Sequence, residues 1–425
     1  MFEYHIVLLV LLGGTTLLST VLSVANVRHG AREMRRNADW LDEFLDIDGP
    51  SEIIDYQRAA TGLGLIQSWV GLALLLGALY TGVVTDAVEF LDGTGLPTVA
   101  QGVIFFFGLF VAQRTLSVPF DLYSTFVIDE QFEFNETSPR LWLRDLVVGV
   151  LVSGVILGVV AGALLVLIET FETALWVVSG WVLIVGFMLF MQVLYPRVIA
   201  PLFNDFEPIE KGDLRDRVEA VFDRAGFEAE EIYTMDASRR SSRLNAYFIG
   251  FGRAKRVVLF DTLVEKLDGP EVEGVLAHEL AHWKRNHVWK RTGATALQLG
   301  VVLAAVGYLL STEWLYELFE LPEVSYAGLF VAVLFVMPLL ELTAPIVNKL
   351  SLAHEREADS FAVDVMGEGE PMVGALSNLA GENLSNPFPH PWYAAFNHQH
   401  PPIPERIRLI QEEADEAAEG ETTSV

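Results

Sequence analysis

Seven long apolar runs constrain this chain more than any other feature. They lie at roughly 5–27, 61–85, 98–122, 145–169, 172–196, 292–311 and 325–347. Each is long enough to cross a hydrocarbon core of about 30 Å. No water is present there to take backbone N–H and C=O groups, so each crossing segment must be a helix or part of a closed barrel, and runs this long and apolar are helices. Hydrophobic residues make up 52% of the 425, and the mean hydropathy is positive. The first run lacks the pattern of a signal peptide, because it is long and no basic residue precedes it. The fifth and seventh carry Pro near their ends, which membrane helices tolerate. The expected fold is mainly α, polytopic, with seven transmembrane helices.

The basic residues agree with that count. Of 28 Lys and Arg, Arg114 lies inside the third run, and the rest fall in four places. These are the loop after span one (Arg28, Arg32, Arg35, Arg36, Arg58), the loop after span three (Arg140, Arg144), the region between spans five and six, and the C-terminal region. The loops after spans two, four and six have none. The alternation requires seven spans. By the positive-inside rule it places the N-terminus outside and the long polar segments, with the C-terminus, in the cytoplasm. Arg114 and Glu341, charged residues within spans, are functional candidates by default; they could equally face a water-filled chamber.

The net charge is −28, and only six of the 28 basic residues are Lys. Acidic residues occur in every loop, a pattern expected of a protein kept soluble in high salt and hence of a halophilic archaeon. Such a surface repels phosphate and argues against nucleic acid as a partner. The chain has no Cys, which excludes disulfides, thiol catalysis and Cys-bound zinc. The C-terminal stretch 413–425 is acidic and is expected to be a disordered tail.

The chemistry is concentrated in His278-Glu279-Leu280-Ala281-His282, an HExxH motif within the helix-like run EVEGVLAHELAHWKRNH. Two His at i and i+4 share a helix face, so their imidazoles can converge on one Zn²⁺. The Glu between them can take a proton from a water that the ion polarises. A catalytic zinc usually has a third protein ligand, and the segment NKLSLAHEREADSFAVDVMG offers one. Glu355 and Asp359, four residues apart, share a face. Glu355 could then bind the metal, with Asp359 orienting a ligand His from behind. Glu357, the rival ligand, points about 160° away from that side. A charged run of this kind is often only a solvated helix face; next to HExxH, the ligand reading is favoured.

The chain divides into 1–196 (spans one to five with their loops), 197–290 (a soluble segment ending in the HExxH helix), 291–348 (spans six and seven), 349–412 (a second soluble segment with the third ligand) and the tail 413–425. The two ligand segments can meet only if the soluble pieces fold together at the membrane face. Within the first, LRDRVEAVFDRAG reads as an amphipathic helix, EEIYTMDAS as a short strand, and LNAYFIGFGRAKRVVLFDTLVEKL as strand, turn, strand and helix. The strand at Asn245, Ala246, Tyr247 and Phe248 is either an exposed edge that takes a peptide substrate as an added strand, or an ordinary core hairpin.

Taken together, these segments resemble the type I CAAX prenyl proteases, integral-membrane zinc metallopeptidases. The resemblance rests on PFDLYSTFVIDEQFEFN (119–135), NAYFIGFGRAKRVVLFDTLVE (245–265), HELAHWKRNH (278–287), NKLSLAHEREADSFA (348–362) and NPFPHPWYAAFNHQHPPIPERI (386–407). It implies a barrel-like bundle of seven helices around an intramembrane chamber, capped by an α+β zinc-metalloprotease domain. One Zn²⁺ per chain would be held by His278, His282 and Glu355, with Glu279 as catalytic base. His400 and Arg406 would line the active site and hold substrate or the developing oxyanion, or else only fix the C-terminal segment to the core. Asn348 and Asp359 would support the ligands. The partners implied are membrane lipids and a peptide or protein substrate, lipidated or not, cut near its C-terminus.

Glu133 stands where the family pattern leads one to expect a small residue such as Gly. His287, His354, His390 and His398, near these motifs, are expected to be structural, because the metal already has its ligands. Two other functions remain open. One is a membrane quality-control protease like HtpX, which shares the chemistry, though HtpX-like chains have fewer spans before the zinc helix. The other is a non-catalytic zinc-stabilised membrane protein or a transporter. Glu279 speaks against the former, since a purely structural site needs no base, and the absence of repeat symmetry speaks against the latter.

Overall fold

The computed structural model of the chain describes residues 1–45, 50–227, 231–249 and 256–423. Seven of its helices are long and apolar enough to cross a membrane. In chain order the elements begin with α1 (Phe2–Arg36), α2 (Ala38–Leu45), α3 (Ser51–Tyr80), α4 (Val83–Asp92) and α5 (Thr98–Tyr123), which continues through a wider π-type segment at Ser124–Asp129. Then come α6 (Pro139–Thr170) and α7 (Thr173–Leu194). The second span ends before its apolar run does: α3 stops at Tyr80, and Gly82 (φ +83°) turns the chain into the separate helix α4. Hydropathy alone does not register such a turn, because only the backbone changes hand there.

The soluble elements follow: β1 (Phe206–Pro208), α8 (Asp213–Ala225), β2 (Glu231–Met235), β3 (Ala246–Ile249), β4 (Arg256–Phe260), α9 (Asp261–Lys266) and α10 (Gly269–Lys284). After these come α11 (His287–Leu310), α12 (Trp314–Glu317), α13 (Ser325–Met366), α14 (Glu370–Glu382), α15 (Pro391–Asn397) and α16 (Ile403–Thr423). The expected helix, strand and strand–strand–helix of the first soluble segment are all present; the turn expected between β3 and β4 lies outside the described residues. The sheet order is β1-β2-β4-β3, with β2 parallel to β4 and the other pairs antiparallel. Among the described residues β3 is therefore an edge, paired only with β4 through Ala246↔Leu259 to Ile249↔Arg256.

The spans close into a ring. α1 packs on α3, α3 on α5, α5 on α6, α6 on α7, α7 on α11, α11 on α13, and α13 back on α1. At Gly102 of α5 the helices come so close that a Cβ would sit 2.5 Å from Leu165 of α6 and 2.8 Å from Tyr326 of α13. The outer faces stay apolar: Leu151, Val155 and Val159, spaced every fourth residue on α6, are each more than 60% exposed, as a lipid-facing stripe requires. Between α1, α3 and α13 lies a cavity of about 360 Å³, where Thr15, Thr16, Ser19, Gln67, Ser68 and Glu341 join apolar residues in the lining.

The boundary expected near residue 348 falls within one helix: α13 runs 42 residues and carries both the seventh span and the Glu355 segment, despite Pro338 and Pro345 inside it. One expectation needs correction. The acidic stretch after 412 is not disordered over its described part; α16 continues to Thr423. Ile407 and Ile410 anchor its first turns in the core, and the Ala- and Glu-rich sequence beyond has high helix propensity.

Candidate active site

The HExxH motif sits on α10, whose start is fixed by a capping box: the Glu271 N–H donates to Asp268 Oδ1 (2.9 Å) and the Asp268 N–H to Glu271 Oε2 (3.0 Å). One face of α10 is fully apolar, with Leu276, Ala277, Leu280 and Ala281 buried against α8, β4 and α14. The opposite face lies along α13, the most extensive helix pairing in the molecule. His278, Glu279 and His282 place ligand atoms within 4.8 Å of one another.

α13 supplies the third group. Glu355 is buried, with Oε2 3.3 Å from His278 Nε2 and Oε1 3.5 Å from His282 Nε2. A tetrahedral zinc with arms of about 2.0–2.1 Å has ligand-to-ligand edges of about 3.3–3.4 Å. The two spacings thus fit one small cation held by two imidazoles and a carboxylate. The protonation balance fits it too. Burial opposes a charge on His278, yet hydrogen bonds to Asp359 and Glu355 outweigh it and push the ring up to about 9. A position that holds a proton this firmly between two carboxylates favours positive charge. His282 is pushed down to about 3, by burial and by its neighbour His278, so its ring stays neutral and its lone pair is available. Burial raises the Glu279 carboxyl above the usual carboxylate range, partly offset by His278.

Asp359, one turn beyond Glu355, lies 2.8 Å from His278 Nδ1, as its place on the helix predicts. Arg406 does not face the open side of the site. It is buried, and donates through Nε and Nη2 to the two Asp359 oxygens at 2.8 and 2.6 Å, with Nη2 3.3 Å from His278 Nδ1. Its geometry is that of a clamp on Asp359 rather than a group that meets substrate. Asn348 likewise touches no ligand among its described contacts; it donates to the Ala395 carbonyl at 3.0 Å and so ties α15 to α13. His400 is 61% exposed, and its Nδ1 lies 2.5 Å from Glu355 Oε2, at the open side.

The edge strand β3 packs against α10. Asn245 and Tyr247 line a cavity of about 790 Å³ with Tyr56, Arg240, Arg243 and Asn383. None of His278, Glu279, His282 and Glu355 lines it; the cavity runs beside the strand. Burial pushes the Tyr247 phenol up to about 12. The Phe248 side chain lies outside the described residues. The segment after span three holds one of its lining residues: Arg243 pairs with Asp129 at 3.1 Å, hydrogen-bonds Tyr56, and stacks over Phe134 at 4.3 Å. Glu133, the departure from the family pattern, has φ +57°, the left-handed conformation that glycine adopts most readily.

One contact was not foreseen from the sequence. His287, expected to be structural, meets His282 of the HExxH motif with Nδ1 3.0 Å from Nδ1. The available signal was Asn286, a residue tolerant of left-handed backbone, at φ +58° between α10 and α11.

Comparison with known proteins places these features in context. Residues 40–205 match the family model for the CAAX prenyl protease N-terminal, five membrane helices, and residues 208–414 match peptidase family M48. The chain is 35% identical over 319 residues to a CAAX prenyl protease 1 homolog of Oryza sativa subsp. japonica, covering 74% of each. It is 31% identical over 332 residues to CAAX prenyl protease 1 of Saccharomyces cerevisiae, covering 74% of this chain and 72% of the other. The crystal structure of S. mikatae Ste24p is similar with a TM-score of 0.79 at 26% identity, over 93% of this chain and 99% of that one.

Proposed function

The chain belongs to the type I CAAX prenyl protease family of M48 peptidases and is a multi-pass membrane metalloprotease; on that footing we propose that it is a zinc-dependent endopeptidase that cuts near the C-terminus of CAAX-type or other membrane-associated peptides. The observation that carries this reading is the approach of both Glu355 oxygens to the Nε2 atoms of His278 and His282. A bound zinc supplies Lewis acidity toward the scissile carbonyl and an attacking water. His278, His282 and Glu355 hold it. Glu279, set beside them with a raised affinity for protons, takes the proton of the attacking water and delivers it to the leaving amine. His400, no longer needed by a Glu355 engaged as ligand, donates to the carbonyl oxygen as it gains charge. Asp359 keeps His278 turned so that Nε2 faces the site, and Arg406 keeps Asp359 in place.

The substrate lies along β3 as an added strand at Asn245–Phe248, where backbone pairing accepts many sequences and the adjoining cavity receives side chains. The pieces 197–290 and 349–412 act as one protease domain, joined through α10 and α13. The region after span one packs through α2 on α14, which in turn packs on α10, and Asp129 at the end of span three pairs with Arg243 just before β3. The positive-inside rule then puts the active site and C-terminus in the cytoplasm and the N-terminus outside. The charge of −28 with six Lys supports function in high salt.

The test is proteolysis by the purified full chain in detergent at high salt, on a farnesylated CAAX peptide and its unprenylated twin, with Glu279→Gln and metal analysis alongside. Cleavage by wild type alone, with about one zinc in both proteins, supports the mechanism, and the ratio between the peptides reports prenyl recognition. Cleavage of neither peptide, with an unfolded membrane protein cut instead, transfers the reading to HtpX-like quality control.

A further inference from the structure

The two motif histidines are supported differently. Behind His278 stands a carboxylate, Asp359, at 2.8 Å. Behind His282 stands another imidazole, with His282 Nδ1 and His287 Nδ1 3.0 Å apart. The far side of that ring meets a carboxylate, His287 Nε2 lying 3.0 Å from Glu357 Oε2. His287 is fully buried. Its plane is set by His354, stacked face to face with centroids 4.1 Å apart and 12° between the rings. Glu357 is half exposed. It lies on the α13 face turned away from Asp359, which takes it out of contention as a metal ligand and places it here.

We propose that His287 and Glu357 are positioning residues for the metal ligand His282, forming a His282–His287–Glu357 relay with His354 as its wall. This rests on the proposed ligand set. With Nε2 of His282 directed to the metal, its hydrogen sits on Nδ1 and donates to His287 Nδ1. His287 then carries its own hydrogen on Nε2 and donates it to Glu357. Each ring has one donor and one acceptor, each used once, so both tautomers are determined by the carboxylate at the end. The negative charge of Glu357 reaches His282 through one polarisable ring and makes it a stronger ligand. The Asn286 turn makes the relay possible: a straight continuation of α10 would carry residue 287 about 500° around the axis from 282, onto another face. The left-handed residue instead starts α11 so that its first side chain folds back on the preceding turn.

The experiment measures zinc affinity of the full-length protein in detergent by competition with a chelator, together with the melting temperature of the metal-free form. His287→Phe keeps the stack on His354 and removes the acceptor. His287→Asn places an amide oxygen near the position of Nδ1. Glu357→Gln keeps an acceptor and removes the charge. The expected result is a loss of zinc affinity of about 10- to 100-fold for His287→Phe, a smaller loss for Glu357→Gln, and partial recovery in His287→Asn. Wild-type affinity in His287→Phe, or a lower apo melting temperature with unchanged affinity, overturns the relay. Glu355→Gln and His282→Ala separate the two levels. If they bind zinc as wild type does, the ligand set itself is wrong; if they lose zinc while His287→Phe does not, only the relay fails.

Discussion

The metal-ligand cluster and the membrane ring of this molecule are held together by opposite means. At the site, described polar groups are held by other polar groups: Asp359 by Arg406, His278 by Asp359, and His282 by His287. In the ring, helices meet mainly through apolar side chains and close approaches such as Gly102, and the cross-helix polar contacts among the described residues are single bonds, such as Trp69 to Thr20, Gln298 to Thr343 and Tyr326 to Gln101. The difference shows where precision is needed. A catalytic cluster must hold atoms to a fraction of an ångström, whereas a wall around a chamber needs only shape and the exclusion of lipid.

Substitutions along this contrast should have unequal effects. The largest is expected for Glu279→Gln, which removes the base and leaves the ligands: cleavage should fall by about 10²- to 10⁴-fold with zinc retained, and cleavage at the wild-type rate would remove Glu279 from the mechanism. Next comes Arg406→Met, which strips the buried Asp359 of its cation and leaves it only the bond to His278; destabilisation of up to about 3–5 kcal/mol is expected, read as a lower unfolding midpoint in detergent, together with weaker zinc binding. An unchanged midpoint would break the claim that the site is held by its polar pairs.

Two smaller effects probe the other side. Glu133→Gly relieves the left-handed backbone at φ +57°. That conformation costs a non-glycine residue about 1–2 kcal/mol, against about 0.5–1 kcal/mol of added chain entropy for glycine. A small rise in melting temperature is expected, and a fall would mean that the Glu133 side chain is itself needed. Glu341→Gln should change stability by about 0.5 kcal/mol or less, since the group faces a cavity. If Glu341 faced lipid instead, removing its charge would stabilise the protein by an amount approaching the roughly 2.5–3.5 kcal/mol cost of a charge at the bilayer centre, and the ring as described would be wrong.

The legible part of the site was the part written within single helices. His278 and His282, four apart, and Glu355 and Asp359, four apart, each declare a shared face. The assignment of Glu355 over Glu357 followed from that spacing, and the structure brings Glu355 to both imidazoles. Arg406 was found through the family resemblance, but whether it meets substrate or fixes the C-terminal segment to the core stayed open, because its motif says nothing of where the guanidinium points. Asn348 sits two turns before Glu355, yet its bond runs to Ala395. His287 was set aside as structural because the metal already had its ligands, and the turn at Asn286 hides its contact with His282 from any argument about a shared helix face.

The sequence by itself determined the seven apolar crossings, the helix carrying HExxH, the face shared by Glu355 and Asp359, and the strands around the edge at Asn245. These are properties of periodicity and composition, which act over a few turns of chain. Only the tertiary structure decided that span seven and the ligand segment are one helix, that β3 is an edge, that Arg406 closes on Asp359, and that Glu357 reaches His282 through His287. Those pairings join residues distant in sequence, or residues on either side of a turn. They arise from how packed helices rotate and tilt against one another, which leaves no local pattern in the residues that meet.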